Sequence, residues 1–467
     1  MKFAIIGAGL AGLTSAYEIR KAQPDAHIDV YEATDRIGGK LFTVAFEAGP
    51  TDMGAEAFLY HRPEAREFFT ELGLADKIKF PSGLRSTVYS HGELQPLPRG
   101  GMMGIPSSSS PVEHLVSADT CARINAEADM PGIDWTVGGD MNVGALVRQR
   151  MGDEVVDRVV SALLGGVYSC TADDLGIRAT IPRLAEEFDR LAQDGEKITF
   201  HAAIEAISQQ RKAQTAGVKP GPVFGTFEGG YAEVYETLAE KSGANIYIDA
   251  FISAVSRTDG AMFRLTGGQD EQYDRLILAT PAPTTALLLR EIAPTAGTAL
   301  KAVQLADSAL VGMRFASSEG LPDTSGVLVA ADEHGVNAKA FTFSSKKWPH
   351  LGERGGALVR ASFGRFGDTI ARDTDEDTLV DWALDDLETI TGFDGRAAGL
   401  EEIYVQRWLG GLPRYDEHHL ATVRKVFSLI DDIPGLALTG AWAGGVGVPA
   451  VITHAKGAAA SVVGESD

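Results

Sequence analysis

A glycine-rich turn near the N-terminus carries the clearest chemical signal of the chain. The apolar run Phe3–Ile6 leads directly into the pattern Gly-x-Gly-x-x-Gly at Gly7, Gly9 and Gly12, and a helical pattern follows. Glu32 lies twenty positions after Gly12 and closes a second apolar run. In a strand–turn–helix–strand unit, such glycines let a pyrophosphate approach the backbone, and the acid accepts hydrogen bonds from a ribose hydroxyl. The spacing therefore predicts a dinucleotide site.

The segment after Glu32 indicates which dinucleotide binds. Arg36 precedes the pair Gly38-Gly39. This arrangement resembles the second fingerprint of FAD enzymes in the flavin amine-oxidase superfamily, and the resemblance implies that the arginine and the glycine pair lie near the diphosphate. An ordinary Gly-Gly turn before a strand is the alternative interpretation.

A second glycine-rich loop lies near the C-terminus. Leu436–Gly440 is typical of a strand, the loop continues to Gly447, and Pro449 suits the first turn of an alanine-rich helix. The positive end of such a helix would stabilise the negative charge of a reduced flavin at its pyrimidine edge. A glycine turn that packs closely on the first helix is the alternative.

Composition restricts the functions that remain. The 467 residues include 42 Lys and Arg against 64 Asp and Glu, a net charge of −22, so nucleic acid is an unsuitable partner and any anionic ligand needs a local basic patch. The two cysteines, Cys121 and Cys170, exclude a disulfide framework, a Cys-x-x-C pair and a cysteinyl-flavin bond in the C-terminal loop. No run of about 18 apolar residues occurs. We therefore expect a cytoplasmic protein with at most peripheral membrane contact.

The patterns along the chain predict an α/β fold. By resemblance it has a Rossmann-like FAD-binding domain of the glutathione-reductase/amine-oxidase type, an α+β substrate domain and a helical insertion. We expect residues 1–85, 216–300 and 407–467 to form the FAD-binding domain. Residues 86–215 are mostly helical in pattern and are the expected face for a membrane or a partner, whereas 301–406 alternate as strands of a mixed substrate-binding sheet.

Further motifs across the chain resemble the porphyrinogen oxidases of heme synthesis. They are the stretches Gly54–Phe58, Leu163–Tyr168, Phe343–His350, Leu412–Leu420 and Gly440–Val451. The Gram-positive type, which acts on coproporphyrinogen III, is resembled most. The resemblance implies an FAD-dependent oxidase that forms coproporphyrin III, with dioxygen as acceptor and hydrogen peroxide as product, and suggests a hand-off to a ferrochelatase. Protoporphyrinogen IX oxidase, a flavin amine oxidase and a non-catalytic flavoprotein are the alternatives.

The resemblance also implies which residues contact the cofactor. We expect non-covalent FAD to contact the glycine loops, the segments that follow them and two residues elsewhere: Gly7, Ala8, Gly9, Leu10, Ala11, Gly12, Glu32, Ala33, Arg36, Gly38, Gly39, Lys40, Gly54, Ala55, Glu56, Ala57, Val255, Trp408, Gly440, Ala441, Gly447, Val448 and Val451. The chemistry needs an electron sink and a shaped slot, so no catalytic side chain is assigned.

The substrate implied by the resemblance carries propionates, which need local cations. Arg62, Lys346 and Lys347 are the candidates, and each can instead be a solvated surface charge. The adjacent His418 and His419 lack partners at ligand spacing, so we expect no metal site.

Overall fold

The computed structural model describes residues 1–214, 221–258 and 261–464. The strands in these residues are β1 Lys2–Ile6, β2 His27–Tyr31, β3 Thr43–Phe46, β4 Gly49–Asp52, β5 Phe58–Leu59, β6 Ile78–Lys79, β7 Ser86–Ser90, β8 Glu93–Pro96, β9 Phe224–Phe227, β10 Asn245–Tyr247, β11 Ala254–Arg257, β12 Phe263–Thr266, β13 Gln272–Tyr273, β14 Arg275–Leu278, β15 Leu305–Phe315, β16 Gly326–Val329, β17 Ala340–Thr342, β18 Ala357–Phe363, β19 Leu400–Pro413 and β20 Leu436–Leu438.

The α-helices in the same residues are α1 Leu10–Ala22, α2 Pro63–Glu71, α3 Ala118–Asn125, α4 Val143–Met151, α5 Asp153–Val155, α6 Ser161–Tyr168, α7 Ile177–Thr180, α8 Pro182–Gln193, α9 Phe200–Gln214, α10 Ala232–Ser242, α11 Ala282–Leu288, α12 Pro294–Leu300, α13 Ser344–Lys347, α14 Pro349–Gly352, α15 Ile370–Asp373, α16 Glu376–Thr391, α17 His419–Ser428, α18 Ala441–Gly444 and α19 Val448–Val463. Short 3₁₀ turns lie at Ala75–Lys77, Glu127–Asp129 and Ala172–Asp174, and a π-helical turn at Val156–Val160. None of the described helices combines the length and apolarity needed to cross a bilayer.

Two compact units make up the chain. The first comprises Met1–Phe80, Pro222–Gln304 and Ala421–Asp467, and the second comprises Pro81–Gly221 and Leu305–Leu420. The first unit is thus assembled from three separate stretches of sequence.

A parallel sheet with strand order β10-β2-β1-β14-β20 forms the centre of the first unit. Successive residues of β1 enter different cores: Phe3 and Ile5 pack in one cluster with residues of α1 and α19, whereas Ala4 and Ile6 pack in another. Side chains of a strand alternate between faces, so both faces of this sheet are covered. This explains why both strands are continuously apolar after their first residue, at Phe3–Ile6 in β1 and Leu276–Leu278 in β14.

A mixed sheet forms the centre of the second unit, with order β19-β15-β18-β17-β16-β7-β8 among the described strands. β7 runs parallel to β16, and the other neighbouring pairs that we resolve are antiparallel. Val359 and Ala361 of β18 pack in one core with Leu384 and Leu387 of α16. The α+β character predicted for this part of the chain is confirmed.

The segment Tyr89–Pro111 is rich in Pro, Gly and Ser, a composition that predicts a linker or mobile loop, but the start of the segment belongs to a sheet. It contains the end of β7 and all of β8, and Val88 and Tyr89 pair with Leu328 and Val329 of β16. Pairing with a strand far away in sequence leaves no local pattern. The proline of β8 lies on the edge strand, where a missing N–H is tolerated.

Candidate cofactor site

The first glycine turn closes at the carboxyl end of β1. The Gly7 N–H donates to the Tyr31 carbonyl at 2.7 Å, and the Gly7 φ of 105° lies in the region that favours glycine. A Cβ on Gly7 would lie 2.7 Å from the Ala279 carbonyl oxygen, and one on Gly12 would lie 1.8 Å from the Gly7 carbonyl oxygen. Both positions therefore require glycine, as the spacing predicts.

The backbone of the first glycine turn, Gly7–Gly12, contacts the backbone of the second fingerprint at Gly38-Gly39. The Gly38 N–H donates to the Ala8 carbonyl at 2.9 Å. Gly39 has a φ of 60°, and a Cβ on it would lie 2.9 Å from the Cα of Gly9. The result is one surface without Cβ atoms that is contributed by both glycine motifs. Such a surface lets a diphosphate approach main-chain N–H groups closely.

Glu32 is fixed beside this surface. Its Oε2 accepts from the Ala8 N–H at 2.9 Å, and its Oε1 accepts from the Thr34 N–H at 3.0 Å and the Thr34 hydroxyl at 2.9 Å. A carboxylate offers about four acceptor positions, so these three bonds leave room for roughly one more donor. The carboxylate can therefore orient the glycine turn and still accept a bond from a ribose hydroxyl.

Arg36 stabilises the second fingerprint by donating hydrogen bonds to backbone carbonyls within it. Its Nη2 donates to the Gly39 carbonyl at 2.8 Å, its Nη1 donates to the Ile37 carbonyl at 3.1 Å, and its guanidinium stacks 4.0 Å from the centre of the Phe42 ring. These contacts hold the glycine pair in place. The predicted contact between Arg36 and a diphosphate stays a prediction.

Lys40 and the Gly54–Ala57 stretch lie side by side. The Lys40 carbonyl accepts from the Ala55 N–H at 3.1 Å, and a Cβ on Gly54 would lie 2.1 Å from the Lys40 carbonyl oxygen. Burial lowers the pKa of the Lys40 ammonium to about 8. The structure therefore places the Gly54–Ala57 motif beside Lys40, at the end of the second fingerprint.

Two helices begin at the same edge of the parallel sheet. α1 follows β1 after Gly9, and α19 follows β20 through the loop that ends at Gly447. Within the described residues, no side chain caps either helix start, and neither first turn contains an acid. The helices pack together, since the Ser15 hydroxyl contacts the Ala455 carbonyl at 3.3 Å. Their positive ends suit anionic or carbonyl groups of a ligand.

The loop between β20 and α19 is anchored by a residue to which the sequence analysis assigned no role. Trp442 is 2% exposed, and its indole N–H donates to the Thr280 carbonyl at 3.1 Å. A Cβ on Gly444 would lie 2.4 Å from the Cβ of His454, so the loop folds tightly onto α19. A single large aromatic side chain within a glycine-rich loop was the signal available in the sequence.

Three other predicted site residues, Val255, Arg62 and Trp408, are not part of the glycine loops. Val255 is buried in β11, an edge strand of the small sheet β11-β12-β13 in the first unit. Arg62 is exposed and precedes α2. Trp408 lies in β19 of the second unit, so neither unit by itself brings it to the glycine loops.

The two candidate lysines of the second unit differ from each other. Lys346 forms an ion pair with Asp323 at 2.6 Å, whereas Lys347 lines a cavity. The substrate roles predicted for Arg62 and for these lysines stay predictions.

The residues of the first unit fit a flavin dinucleotide. They provide a surface without Cβ atoms, two helix starts without side-chain caps and a fixed carboxylate. The surface suits a diphosphate, the helix starts suit a diphosphate and a ring that gains negative charge on reduction, and the carboxylate suits a ribose.

Comparison with known proteins agrees with this fit. A family model described as flavin containing amine oxidoreductase matches residues 10–463. The coproporphyrinogen III oxidase of Mycobacterium tuberculosis is 40% identical over 463 residues, which cover 99% of this chain and 97% of that protein. The protein of the same name from Staphylococcus aureus is 26% identical over 475 residues, 99% of each chain. The predicted resemblance to this group of oxidases is confirmed.

Solved structures share the fold. A protein from Exiguobacterium sp. 255-15, provisionally assigned as a protoporphyrinogen oxidase, has a TM-score of 0.86 at 24% identity, covering 100% of this chain and 99% of its own. A putrescine oxidase variant has a TM-score of 0.70 at 15% identity, with coverage of 100% and 99%. The predicted fold class is confirmed. This chain therefore belongs to the flavin containing amine oxidoreductase family, whose cofactor is a flavin.

Proposed function

We propose that this protein is an FAD-dependent oxidase of heme biosynthesis that converts coproporphyrinogen III to coproporphyrin III. The observation that carries the proposal is the match over 99% of the chain to relatives named coproporphyrinogen III oxidase, one of them 40% identical. The geometry of the first unit supports it, because the fingerprints that bind a flavin dinucleotide are intact.

The cofactor is FAD, held without a covalent bond. The glycine surface and the start of α1 would bind the diphosphate, Glu32 the ribose and the start of α19 the flavin ring. No cysteine lies in the C-terminal glycine loop to form a thioether. When bound, the flavin supplies the electron sink for the oxidation.

The overall reaction removes six hydrogens from the macrocycle. Three dioxygen molecules take them up and leave as three hydrogen peroxide molecules, so atoms and electrons balance. The protein positions and desolvates the macrocycle and needs no fixed base, because pyrrole protons can leave to water. Further parts of the proposal are a cytoplasmic location, at most peripheral membrane contact and a ferrochelatase as recipient of the product.

The test begins with the purified protein. We expect a yellow protein whose flavin absorbance bleaches when coproporphyrinogen III is added without oxygen. In air, we expect coproporphyrin fluorescence to appear, with one hydrogen peroxide formed for each dioxygen consumed and three for each coproporphyrin.

Comparison of substrates separates the alternatives. We expect faster turnover on coproporphyrinogen III than on protoporphyrinogen IX, and no peroxide from putrescine. Equal or reversed porphyrinogen rates would contradict the preference, peroxide from putrescine would favour an amine oxidase, and an unbleached flavin would favour a non-catalytic flavoprotein.

A further inference from the structure

A chain of buried hydrogen bonds links β2 to β13 in the first unit, directly before Glu32. The hydroxyl oxygens of Tyr31 and Tyr273 lie 2.6 Å apart, and the Tyr273 hydroxyl donates to Oδ2 of Asp29 at 2.7 Å. The Gln269 N–H donates to the Tyr31 hydroxyl at 3.2 Å. Asp29 and both tyrosine side chains are buried, so water does not compete for the bonds between them.

The protons of this tyrosine chain can be arranged in only one direction. Burial raises the pKa of both hydroxyls, so each keeps its single proton. Because the Tyr273 proton is donated to the Asp29 carboxylate, the bond between the two hydroxyls is donated by Tyr31. Each member therefore donates towards Asp29, and hydrogen bonds aligned in this way strengthen one another.

Both ends of the tyrosine chain are anchored. Asn245 of β10 donates to Oδ1 of Asp29 at 2.9 Å, and Nε2 of His27 lies 3.1 Å from Oδ2 of the same carboxylate. At the other end, a Cβ on Gly268 would lie 3.3 Å from Cζ of Tyr31, so the glycine lets the backbone approach the ring closely. The side chain of Tyr31 is therefore held in one position.

Tyr31 is also the junction between the glycine turn and Glu32. Its carbonyl accepts from the Gly7 N–H at 2.7 Å, and Glu32 is the next residue of the chain. The Tyr31 ring stacks on the Tyr247 ring, with the ring centres 5.1 Å apart and the planes inclined by 16°. The Tyr247 carbonyl accepts from the Glu32 N–H at 2.8 Å. Displacement of the Tyr31 ring would therefore act on Glu32 both along the backbone and through Tyr247.

The tyrosine chain connects two sheets that carry predicted cofactor contacts. Tyr31 ends β2 of the parallel sheet, whereas Tyr273 lies in β13 of the small sheet that also contains Val255. Tyr31, Tyr273 and Val255 pack in one core cluster. The predicted contacts of Glu32 and Val255 therefore depend on the same buried hydrogen bonds.

We propose that Tyr31, held by Tyr273 and Asp29, positions Glu32 to bind the adenosine ribose of FAD. The inference rests on the proposed function, in which FAD is the cofactor, and adds a positioning residue to it. Tyr31 acts through the carboxylate of Glu32 and does not itself contact the ribose. Binding groups must be held within about 0.5 Å of their productive geometry, which a neighbour locked by packing and hydrogen bonds ensures.

The experiment compares two Tyr→Phe substitutions in the first unit. Tyr31→Phe removes the hydroxyl and retains the ring that stacks on Tyr247. The control, Tyr17→Phe, removes the hydroxyl of another buried tyrosine, which lies on α1 and donates to Oε1 of Glu71 at 3.0 Å. Both variants therefore lose one hydrogen bond of a buried tyrosine, but only Tyr31 belongs to the tyrosine chain.

The measurement is the ability of the flavin-free proteins to discriminate between two ligands. One ligand is FAD, and the other is the FAD analogue whose adenosine ribose lacks the 2′-hydroxyl. Quenching of flavin fluorescence gives the Kd of each, and urea unfolding gives the stability of each variant. A residue that only stabilises the fold would change both Kd values by the same factor, whereas a residue that positions Glu32 changes their ratio.

We expect wild-type protein to bind the analogue roughly 10- to 100-fold more weakly than FAD, because a hydrogen bond to a carboxylate is lost. Tyr31→Phe should raise the Kd for FAD roughly 3- to 10-fold and leave the Kd for the analogue within about twofold of wild type. Tyr17→Phe should lower stability to a similar degree but leave both Kd values within about twofold of wild type.

A second variant covers the risk that Tyr31→Phe does not fold. Tyr273→Phe interrupts the tyrosine chain one residue further from Glu32 and should reduce the discrimination in the same direction. The double variant should lose no more discrimination than the larger of the two single losses, because members of one network are not additive.

The outcomes separate this inference from the proposed function. Equal rises in the two Kd values, full discrimination in both single variants, or additive losses in the double variant would overturn the inference. So would a wild-type protein that binds FAD and the analogue equally well, although its FAD binding and its turnover of coproporphyrinogen III would still uphold the proposed function. A wild-type protein that binds no FAD would overturn both.

Discussion

The contact between the two glycine motifs can be tested with a pair of matched substitutions. Gly39 and Gly73 both adopt left-handed backbone conformations, with φ of 60° and 77°, and both belong to the first unit. They differ in what a new methyl group would meet. A Cβ on Gly39 would lie 2.9 Å from the Cα of Gly9, whereas one on Gly73 would meet nothing within 4 Å.

The magnitude follows from these two differences. An alanine in the left-handed region costs roughly 1–2 kcal/mol, and both substitutions carry that cost. Gly39→Ala adds a steric overlap between two backbones, for which overpacking suggests about 1–3 kcal/mol more. We therefore expect Gly39→Ala to lower the free energy of unfolding by roughly 2–5 kcal/mol and Gly73→Ala by roughly 1–2 kcal/mol.

The assay measures stability and cofactor affinity separately. Urea unfolding of the flavin-free proteins gives the two free energies, and titration with FAD, followed by quenching of its fluorescence, gives the Kd. Gly39→Ala should also raise the Kd for FAD at least about tenfold, because its methyl group enters the surface assigned to the diphosphate. Equal stability losses together with equal FAD affinities would refute the reasoning.

Three further predictions concern single side chains. Glu32→Gln should raise the Kd for FAD roughly tenfold, because the amide nitrogen cannot accept the bonds made by Ala8 or Thr34; an unchanged Kd in the same titration would contradict the role of Glu32. Burial lowers the pKa of Lys339 to about 7, below its unfolded value near 10.5, so the unfolded chain binds more protons between these limits. Stability should therefore rise with pH from about 7 towards 10 by up to about 1.4 kcal/mol per unit, and urea unfolding of Lys339→Met should lack that contribution. Burial raises the pKa of the Cys170 thiol to about 12, so a thiol reagent at pH 8 should modify the partly exposed Cys121 alone in the native protein and both cysteines after denaturation; rapid native labelling of both would contradict the burial.

The sequence predicted those elements whose signal is local. The apolar run Phe3–Ile6 and the segment Leu436–Gly440 were predicted as strands, and the structure has strands at Lys2–Ile6 and Leu436–Leu438. The glycine turn after β1 was equally predictable, because three glycines at fixed spacing serve one backbone geometry.

Other features depend on residues that are distant in sequence. Nothing near Gly39 indicates that Gly9 lies against it, and nothing near Tyr89 indicates that β16 is its neighbour. Lys346 and Lys347 are adjacent and chemically alike, yet one pairs with Asp323 and the other lines the cavity. Arg360 is the only charged residue of strand β18, and the sequence does not indicate on which face of the sheet its side chain lies.

The assembly of the first unit from three stretches affects how this protein is made. β1 is synthesised first, but its neighbour β14 begins at Arg275, and the edge strand β20 begins only at Leu436. The parallel sheet of the first unit therefore cannot be completed until Leu438 has left the ribosome, and its long-range pairings make folding slow. Cofactor loading must accordingly follow translation, and a chain truncated before α19 should accumulate as colourless protein.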